Sequence, residues 1–320
     1  MRIVVIIVTW NAANLIGRVL GALSLQSRPA DRVLIIDNGS SDGDMLGGIV
    51  AQYPFCELNP LGKNLGFAAA NNIGVSQCDD AEFVALLNPD AFPEPHWLEA
   101  LLSVARENSE CDVFGSKLVN ATDPSVLDGA GDAYHISGLV WRERHGARES
   151  ARDCAPREIF SPCAAAALYR RQALMDVGLF DEDYFCYVED VDLGFRLRLA
   201  GHKALYVPDA VVHHVGSATT GGKRSDFSVY HGHRNLVWTF VKDMPGILFW
   251  LLLPLHILMN LASILWFALQ GRGGVILRAK RDALLGLPKM WHKRQKIQST
   301  RIAKVREIWR YLDKQIIPAR

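Results

Sequence analysis

Over its first 120 residues this chain alternates short apolar runs with segments of helical spacing, and that alternation limits the fold more than any other feature. Residues 2–9, 32–37, 55–58, 82–87 and 113–119 read as strands. Residues 14–25, 66–77 and 95–108 read as helices, the last with Pro95 near its first turn. Strands separated by helices close most readily as a mostly parallel sheet, because a parallel connection needs the length of a crossover. The expected class is α/β, a doubly wound, mostly parallel sheet flanked by helices. In such sheets ligands bind beyond the carboxyl ends of the strands. Two strands end on polar residues there: one on Asp37, before the loop Asn38-Gly39-Ser40-Ser41-Asp42-Gly43, the other on Asn88-Pro89-Asp90.

Residues 121–160 are irregular and Gly-rich, with a hairpin expected around 135–141, and 161–176 read as a helix starting at Ser161-Pro162. Strands are expected at 203–207 and 210–215, and a helix at 227–241. Between them lies Tyr187-Val188-Glu189-Asp190-Val191-Asp192-Leu193-Gly194-Phe195, with three carboxylates in four positions at the start of a helical segment. A helix N-terminus tolerates acids because its macrodipole is positive there. The surrounding Phe180, Tyr184, Phe185, Tyr187 and Phe195, with Asp181, Glu182 and Asp183 just upstream, favour a dry acid/base site instead.

The 320 residues suffice for one large domain plus an appendage, or for two domains. The six cysteines show no metal-ligand spacing and suit a reducing compartment. The apolar run at 3–8 is too short for a signal-peptide core and reads as a buried strand. The net charge of +1 hides an asymmetry: residues 270–320 carry 14 Lys/Arg against 3 Asp/Glu. A basic tail after an apolar stretch suggests an anionic membrane surface. Nucleic acid is not expected, since the rest of the chain is acidic and lacks the usual binding motifs.

Residues 244–271 are uncharged, and 28 residues of helix extend roughly 42 Å, enough for a bilayer. Pro254, His256 and Asn260 interrupt the run, and the more basic flank follows it. A single span would export that flank from a cytosolic protein, against the positive-inside tendency. The favoured expectation is a helix pair broken near Pro254 that dips into one leaflet; a single span and a buried hairpin remain open. The expected division is a domain at 1–242, then an apolar helical hairpin or span with a basic helical tail at 243–320.

Asp90 follows a strand and a proline, where a short carboxylate could hold Mg²⁺ or Mn²⁺ on a diphosphate, or simply end a turn. Asn88, being neutral, suits a sugar hydroxyl. Asp37 could accept from a pyrimidine N–H or a ribose hydroxyl, or close an Asx-turn. In His213-His214 either imidazole could reach a metal or be structural.

In series these motifs resemble glycosyltransferase family 2, inverting enzymes of the GT-A fold, and especially its bacterial rhamnosyltransferase-like members. The matching residues are Val8-Thr9-Trp10-Asn11, Ile36 through Asp42, Asn64-Leu65-Gly66-Phe67 with Asn71-Asn72, Leu87-Asn88-Pro89-Asp90, Phe180-Asp181-Glu182, Glu189 through Leu193, and His213 through Ser217. The resemblance implies a donor site containing Thr9, Asn11, Asp37, Asn64, Gly66, Asn71, Asn88 and Asp90. Asp37 would read the base. Asp90 would bind Mg²⁺ or Mn²⁺ with His213 as a further ligand, the doubled His leaving the choice between His213 and His214 open. Asn88 departs from the family's Asp-x-Asp, which puts a second metal-contacting carboxylate in doubt. Asp190 would be the catalytic base, with Asp181, Glu189 and Arg234 on the acceptor side.

The implied reaction is a single displacement in which Asp190 takes the proton of an acceptor hydroxyl attacking the anomeric carbon of a nucleoside-diphosphate sugar. Processive members carry Gln-x-x-Arg-Trp after the base; His231-Gly232-His233-Arg234-Asn235 departs from it, which argues for transfer of one sugar. The apolar segment and basic tail fit a polyprenyl-diphosphate-linked glycan acceptor at the cytoplasmic face of the plasma membrane, and thus cell-envelope polysaccharide synthesis. A nucleotidyltransferase would want glycines and a cation after the first strand, where Thr9-Trp10-Asn11-Ala12-Ala13-Asn14 has neither. A non-catalytic scaffold would have no need of Asp90 or Asp190, and both are present.

Overall fold

A computed structural model describes residues 1–216 and 225–315; Ser217 and Arg320, which close the histidine motif and the basic tail, lie outside the described residues. The chain begins β1 (Ile3–Thr9), α1 (Ala13–Ser24), β2 (Arg32–Asp37), α2 (Gly43–Val50), β3 (Cys56–Pro60), α3 (Phe67–Ser76), β4 (Phe83–Leu87), β5 (Ala91–Pro93), α4 (Trp97–Glu107) and β6 (Val113–Asn120). Every residue of β1 is buried because the strand lies between β2 and β4 with helices over both faces. That explains its unbroken Ile/Val run where an exposed strand would alternate. Helix α2 and strand β5 were not legible: α2 carries three glycines in eight residues, and β5 is three residues long.

Next come β7 (Leu127–Gly129), β8 (Asp132–Tyr134), β9 (Val140–Arg142), β10 (Arg157–Glu158), β11 (Ala166–Arg170), α5 (Arg171–Asp176), α6 (Glu189–Leu199) and β12 (Ala204–His214). The hairpin expected around 135–141 is the β8–β9 pair. The helix expected over 161–176 is not formed. Its first part becomes β11, which runs antiparallel between β4 and β6, and only α5 remains helical. Alanine's helix propensity loses here to tertiary context. Ala167 pairs with Leu86 of β4 on one side and Gly115 of β6 on the other. The sheet is therefore mixed, in the order β10-β12-β6-β11-β4-β1-β2-β3. The two strands expected at 203–207 and 210–215 are one, with an irregularity between Val207 and Val211 where Pro208 has no amide to donate.

The chain ends in helices α7 (Asp226–Asp243), α8 (Gly246–Leu269), α9 (Gly273–Leu285), α10 (Leu287–Ser299) and α11 (Val305–Tyr311). The break expected near Pro254 does not occur: α8 is one helix of 24 residues, and the chain turns back only at Gly271, whose φ is 76°. Pro254 and Trp250, whose carbonyl loses its amide partner, both sit on the outward side, and packing of the inner face keeps the helix whole. That inner face is Leu248, Phe249, Leu252 and His256. The outer face exposes Ile247, Trp250, Leu251, Ile257, Leu258, Leu261, Leu265, Trp266 and Leu269. By length and a mean hydropathy of 2.0, α8 could cross a membrane.

Two cores lie on the two faces of the sheet, one under α1, α2 and α4, the other under α3, α5 and α6. A third joins Tyr134, Phe160, Val191 and Phe195 to Phe240, Leu248, Ala283, Met290 and Ile308, so residues on both sides of position 242 share it. Each large side chain so buried is worth about 1.5–3 kcal/mol relative to exposure.

Candidate active site

The carboxyl ends of β1, β2 and β4, the turn before α6 and the end of β12 surround one cleft of about 1070 Å³. Among the expected site residues, Asn64, Gly66, Asn88, Asp90, Glu189 and Asp190 line it, together with Trp10, Asn38 and His214. On the donor side Asn38 holds the wall: its Nδ2 donates to Asn64 Oδ1 at 3.0 Å, and its Oδ1 accepts the Leu65 amide at 2.8 Å. Asn64 Oδ1 also accepts the Gly66 amide at 2.9 Å. Gly66 has φ 88°, and a Cβ there would strike Phe185 at 2.6 Å. Glycine therefore lets the donor-side loop touch the turn before the base.

Thr9, Asn11, Asp37 and Asn71 stand behind this wall. Thr9 is buried at the end of β1, and its carbonyl accepts the Asn38 amide at 2.9 Å. Asn11 Oδ1 accepts the Ser41 amide at 2.8 Å, tying two loops together. Asp37 Oδ1 accepts the Ser40 amide at 3.0 Å, so the Asx-turn is formed. The Asn71 amide donates to Phe67 O at 2.9 Å within its own helix.

The two adjacent histidines part company, since successive side chains of a strand point to opposite faces. His213 faces away, its Nε2 3.1 Å from Glu94 Oε1. His214 is buried, with Nε2 3.4 Å from Asp90 Oδ1 and Nδ1 2.7 Å from Asp128 Oδ2. The imidazole beside Asp90 is thus His214 and not His213. Its Nε2 is buried without a hydrogen-bond partner among the described residues. A carboxylate facing an imidazole nitrogen at 3.4 Å, with that ring's other nitrogen held by a second carboxylate, suits a divalent cation.

Asp190 opens α6. Its Oδ1 accepts the Val191 amide at 2.9 Å and its Oδ2 the Ala164 amide at 3.3 Å. Burial raises its pKa above the ordinary carboxylate value, opposed by the Arg142 charge. Burial, then the Asp190 charge, also raises Glu189 and Asp132. Ligand atoms of Asp132, Cys163 and Asp190 lie within 4.8 Å of one another. A cation already stands there: Arg142 Nη2 is 2.7 Å from Cys163 Sγ, Nη1 is 2.6 Å from Asp128 Oδ2, and Nε is 3.7 Å from Asp132 Oδ1. Asp128, Asp132, Arg142 and Cys163 escaped sequence reasoning. Their only signal was the acid spacing in Leu127-Asp128-Gly129-Ala130-Gly131-Asp132, inside a segment without periodicity.

The third acid of the cluster points elsewhere. Asp192 is fully buried against Arg196 and Lys242. Asp181, expected on the acceptor side, joins the same interior network through Lys242 at 2.6 Å and through Lys293. Against the cost of burial, these two lysines hold Asp181 well below the usual carboxylate range. Arg234 is also behind the cleft: its Nη2 donates to Asp183 O at 3.1 Å and Tyr184 O at 2.9 Å. Its neighbour Asn235, fully buried, donates from Nδ2 to Tyr184 O, Cys186 O and Tyr187 O at 3.0, 3.0 and 2.8 Å. These bonds pin a turn in which Phe185, Tyr187 and Val188 have φ of 65°, 64° and 69°. Such values strain L residues and persist where surroundings impose them.

A family model described as glycosyltransferase-like family 2 matches residues 1–235. The N-acetylglucosaminyl-diphospho-decaprenol L-rhamnosyltransferase of Mycobacterium tuberculosis (strain ATCC 25618 / H37Rv) is 32% identical in an alignment of 260 residues that covers 75% of this chain and 83% of that protein. The O-antigen chain rhamnosyltransferase RfbN of Salmonella typhimurium is 24% identical over 233 residues, 72% of this chain and 70% of that protein. Among solved structures, the mannosyltransferase PcManGT from Pyrobaculum calidifontis, in complex with GDP-Man and Mn²⁺, superposes with a TM-score of 0.54 at 18% identity, covering 93% of this chain and 84% of that one. GalNAc-T7 with UDP, GalNAc and Mn²⁺ gives 0.61 at 14% identity over 76% of this chain and 48% of that one, so this chain spans about half its length. These structural likenesses carry the fold, which is GT-A.

Proposed function

This chain belongs to glycosyltransferase family 2, and we propose that it transfers one sugar, rhamnose by the analogy of its relatives, from a nucleoside diphosphate to a hydroxyl of a polyprenyl-diphosphate-linked glycan, with inversion. The observation that carries the reading is one cleft lined by Asp90, His214 and Asp190 together.

Donor and acceptor meet at Asp190. Its carboxylate, fixed by two backbone amides, takes the proton of the attacking hydroxyl. Burial raises its pKa, which makes its carboxylate a better proton acceptor than that of an exposed Asp. Asn38 and Asn64 shape the donor wall, and Asn88 offers its amide to the sugar. Asp90 and His214 would hold Mg²⁺ or Mn²⁺, and Asp128 fixes the His214 ring through Nδ1. When bound, the cation offsets the charge on the departing diphosphate, so no protein acid is required.

The exposed apolar face of α8 and the basic helices after it suit an anionic membrane surface on the cytoplasmic side, with α8 lying in the interface and its inner face on the protein. The function is tested by offering purified full-length protein a panel of nucleotide sugars with N-acetylglucosaminyl diphosphate polyprenol and following release of nucleoside diphosphate. Acceptor-dependent release from a nucleoside-diphosphate rhamnose is expected. Release with no donor in the panel would contradict it.

A further inference from the structure

The cleft does not end at the base. Besides its carboxylates it has apolar lining: Val188 before α6, Val140 and Trp141 on β9, Leu236 on α7 and Phe267 on α8. All five are half-buried, so they offer apolar surface to whatever occupies the cleft. The same cleft is lined by the carboxylates Asp90, Asp132, Glu189 and Asp190 and by Arg142 and His145. The His233 ring packs on Phe267 with centroids 4.9 Å apart, and burial, then the charge of Lys280 beside it, push its pKa down to about 4.

Phe267 also belongs to the helix with the exposed apolar face. Its sequence neighbours Leu265, Trp266 and Leu269 are 63%, 62% and 78% exposed. A single helix end therefore presents apolar surface to the cleft on one side and to the outside on the other. Leu236 and Phe267 line the same cleft as Asp190, so apolar surface of α7 and α8 shares that cleft with the base.

We propose that the Leu236–Phe267 wall binds the first isoprene units of the acceptor lipid, so that the enzyme recognises its acceptor by the lipid as well as by the sugar. The inference rests on the lipid-linked acceptor proposed above. The acceptor sugar then sits at Asp190, and the chain leaves across α8 into the membrane. Continuity with the exposed face of α8 selects a lipid chain over a water-soluble glycan, which would gain nothing from Leu236 and Phe267.

The test compares three acceptors with the full-length enzyme in detergent: N-acetylglucosaminyl diphosphate carrying a methyl group, a farnesyl chain or a decaprenyl chain. The expected result is that kcat/KM rises about tenfold or more from methyl to farnesyl, the scale of apolar groups in a substrate pocket. It should change little from farnesyl to decaprenyl, because only the first units reach the wall. Phe267→Ala and Leu236→Ala should each remove most of the farnesyl advantage through KM, so that the farnesyl-to-methyl ratio of kcat/KM falls toward one. Leu277→Ala, at a residue 55% exposed on α9 and off the cleft, should keep the advantage and serves as the packing control. Should either cleft variant unfold, Phe267→Leu supplies a milder change with the same sign. Equal kcat/KM for methyl and farnesyl acceptors, or an undiminished farnesyl advantage in the cleft variants, overturns the inference while leaving the function intact. Absence of transfer to all three acceptors overturns the function reading and the inference with it.

Discussion

Asn235→Ala should uncouple the base from its support. The Asn235 amide has two hydrogens for three carbonyls, at 3.0, 3.0 and 2.8 Å, and the residue is fully buried. Removing it leaves about two hydrogen bonds unmade in the interior. At about 1–3 kcal/mol for each buried group left unpaired, the loss is roughly 2–6 kcal/mol. The turn it held contains three non-glycine residues at positive φ, so the freed turn has reason to relax. Val188, the last residue of that turn, is the N-cap of α6, and Asp190 is two residues on. A displacement of about 1 Å at the base costs on the order of 10²-fold in rate. Urea unfolding followed by circular dichroism measures the stability; single-turnover transfer at saturating donor measures the rate. Both should fall, and kcat should fall more than donor affinity. Asn235→Asp keeps the shape, but an ionised carboxylate cannot donate to the carbonyls, so it should be at least as damaging. Either variant within about 0.5 kcal/mol of the native protein, the range of neutral surface changes, and with native turnover would refute the reasoning.

Chelator should abolish transfer, and Mn²⁺ or Mg²⁺ should restore it; His214→Ala should weaken metal-dependent donor binding while His213→Ala does not, since His213 faces Glu94. Equal effects of the two substitutions in a donor titration would remove His214 from the site. The acid limb of the pH–rate profile should lie above the ordinary carboxylate value, because burial raises the pKa of Asp190 and the base works only when ionised. The sign follows directly: activity is lost as pH falls through the raised value, and a limb at or below the ordinary value would contradict it. High salt alone should not strip the protein from membranes while detergent does, because salt screens the basic tail but not the apolar face of α8. Leu258→Asp with Leu265→Asp, at residues 60% and 63% exposed, should shift the protein toward the soluble fraction; unchanged partitioning would exclude α8 as the contact.

The sequence was most legible where periodicity and burial agree. The Ile/Val runs of β1 and β2 and the helical spacing of α1, α3 and α4 announce the parallel half of the sheet. The antiparallel insert β11 was hidden because Ala164-Ala165-Ala166-Ala167 favours a helix locally, and only the gap between β4 and β6 makes it a strand. In the site, Asp90, Asn88, Glu189 and Asp190 were readable because strand ends and a helix start place them. His213 and His214 could not be separated without the register of β12, which sets the face each one takes. Asp181 and Arg234 were misleading for a different reason. A carboxylate or guanidinium near a base in sequence can turn inward when interior lysines or backbone carbonyls satisfy it, and Lys242, Lys293 and the 183–184 carbonyls do so here.

The role of Asp190 is tested most directly by single-turnover transfer with Asp190→Asn, which keeps the side chain's size and, with its one accepting oxygen, one of the two backbone amide contacts. Donor affinity should stay within about twofold of native, while transfer to the lipid-linked acceptor falls by about 10²-fold or more, the scale of general-base catalysis. Transfer at the native rate, with donor binding intact, would contradict the account and shift the base to another carboxylate of the cleft, Glu189 or Asp132.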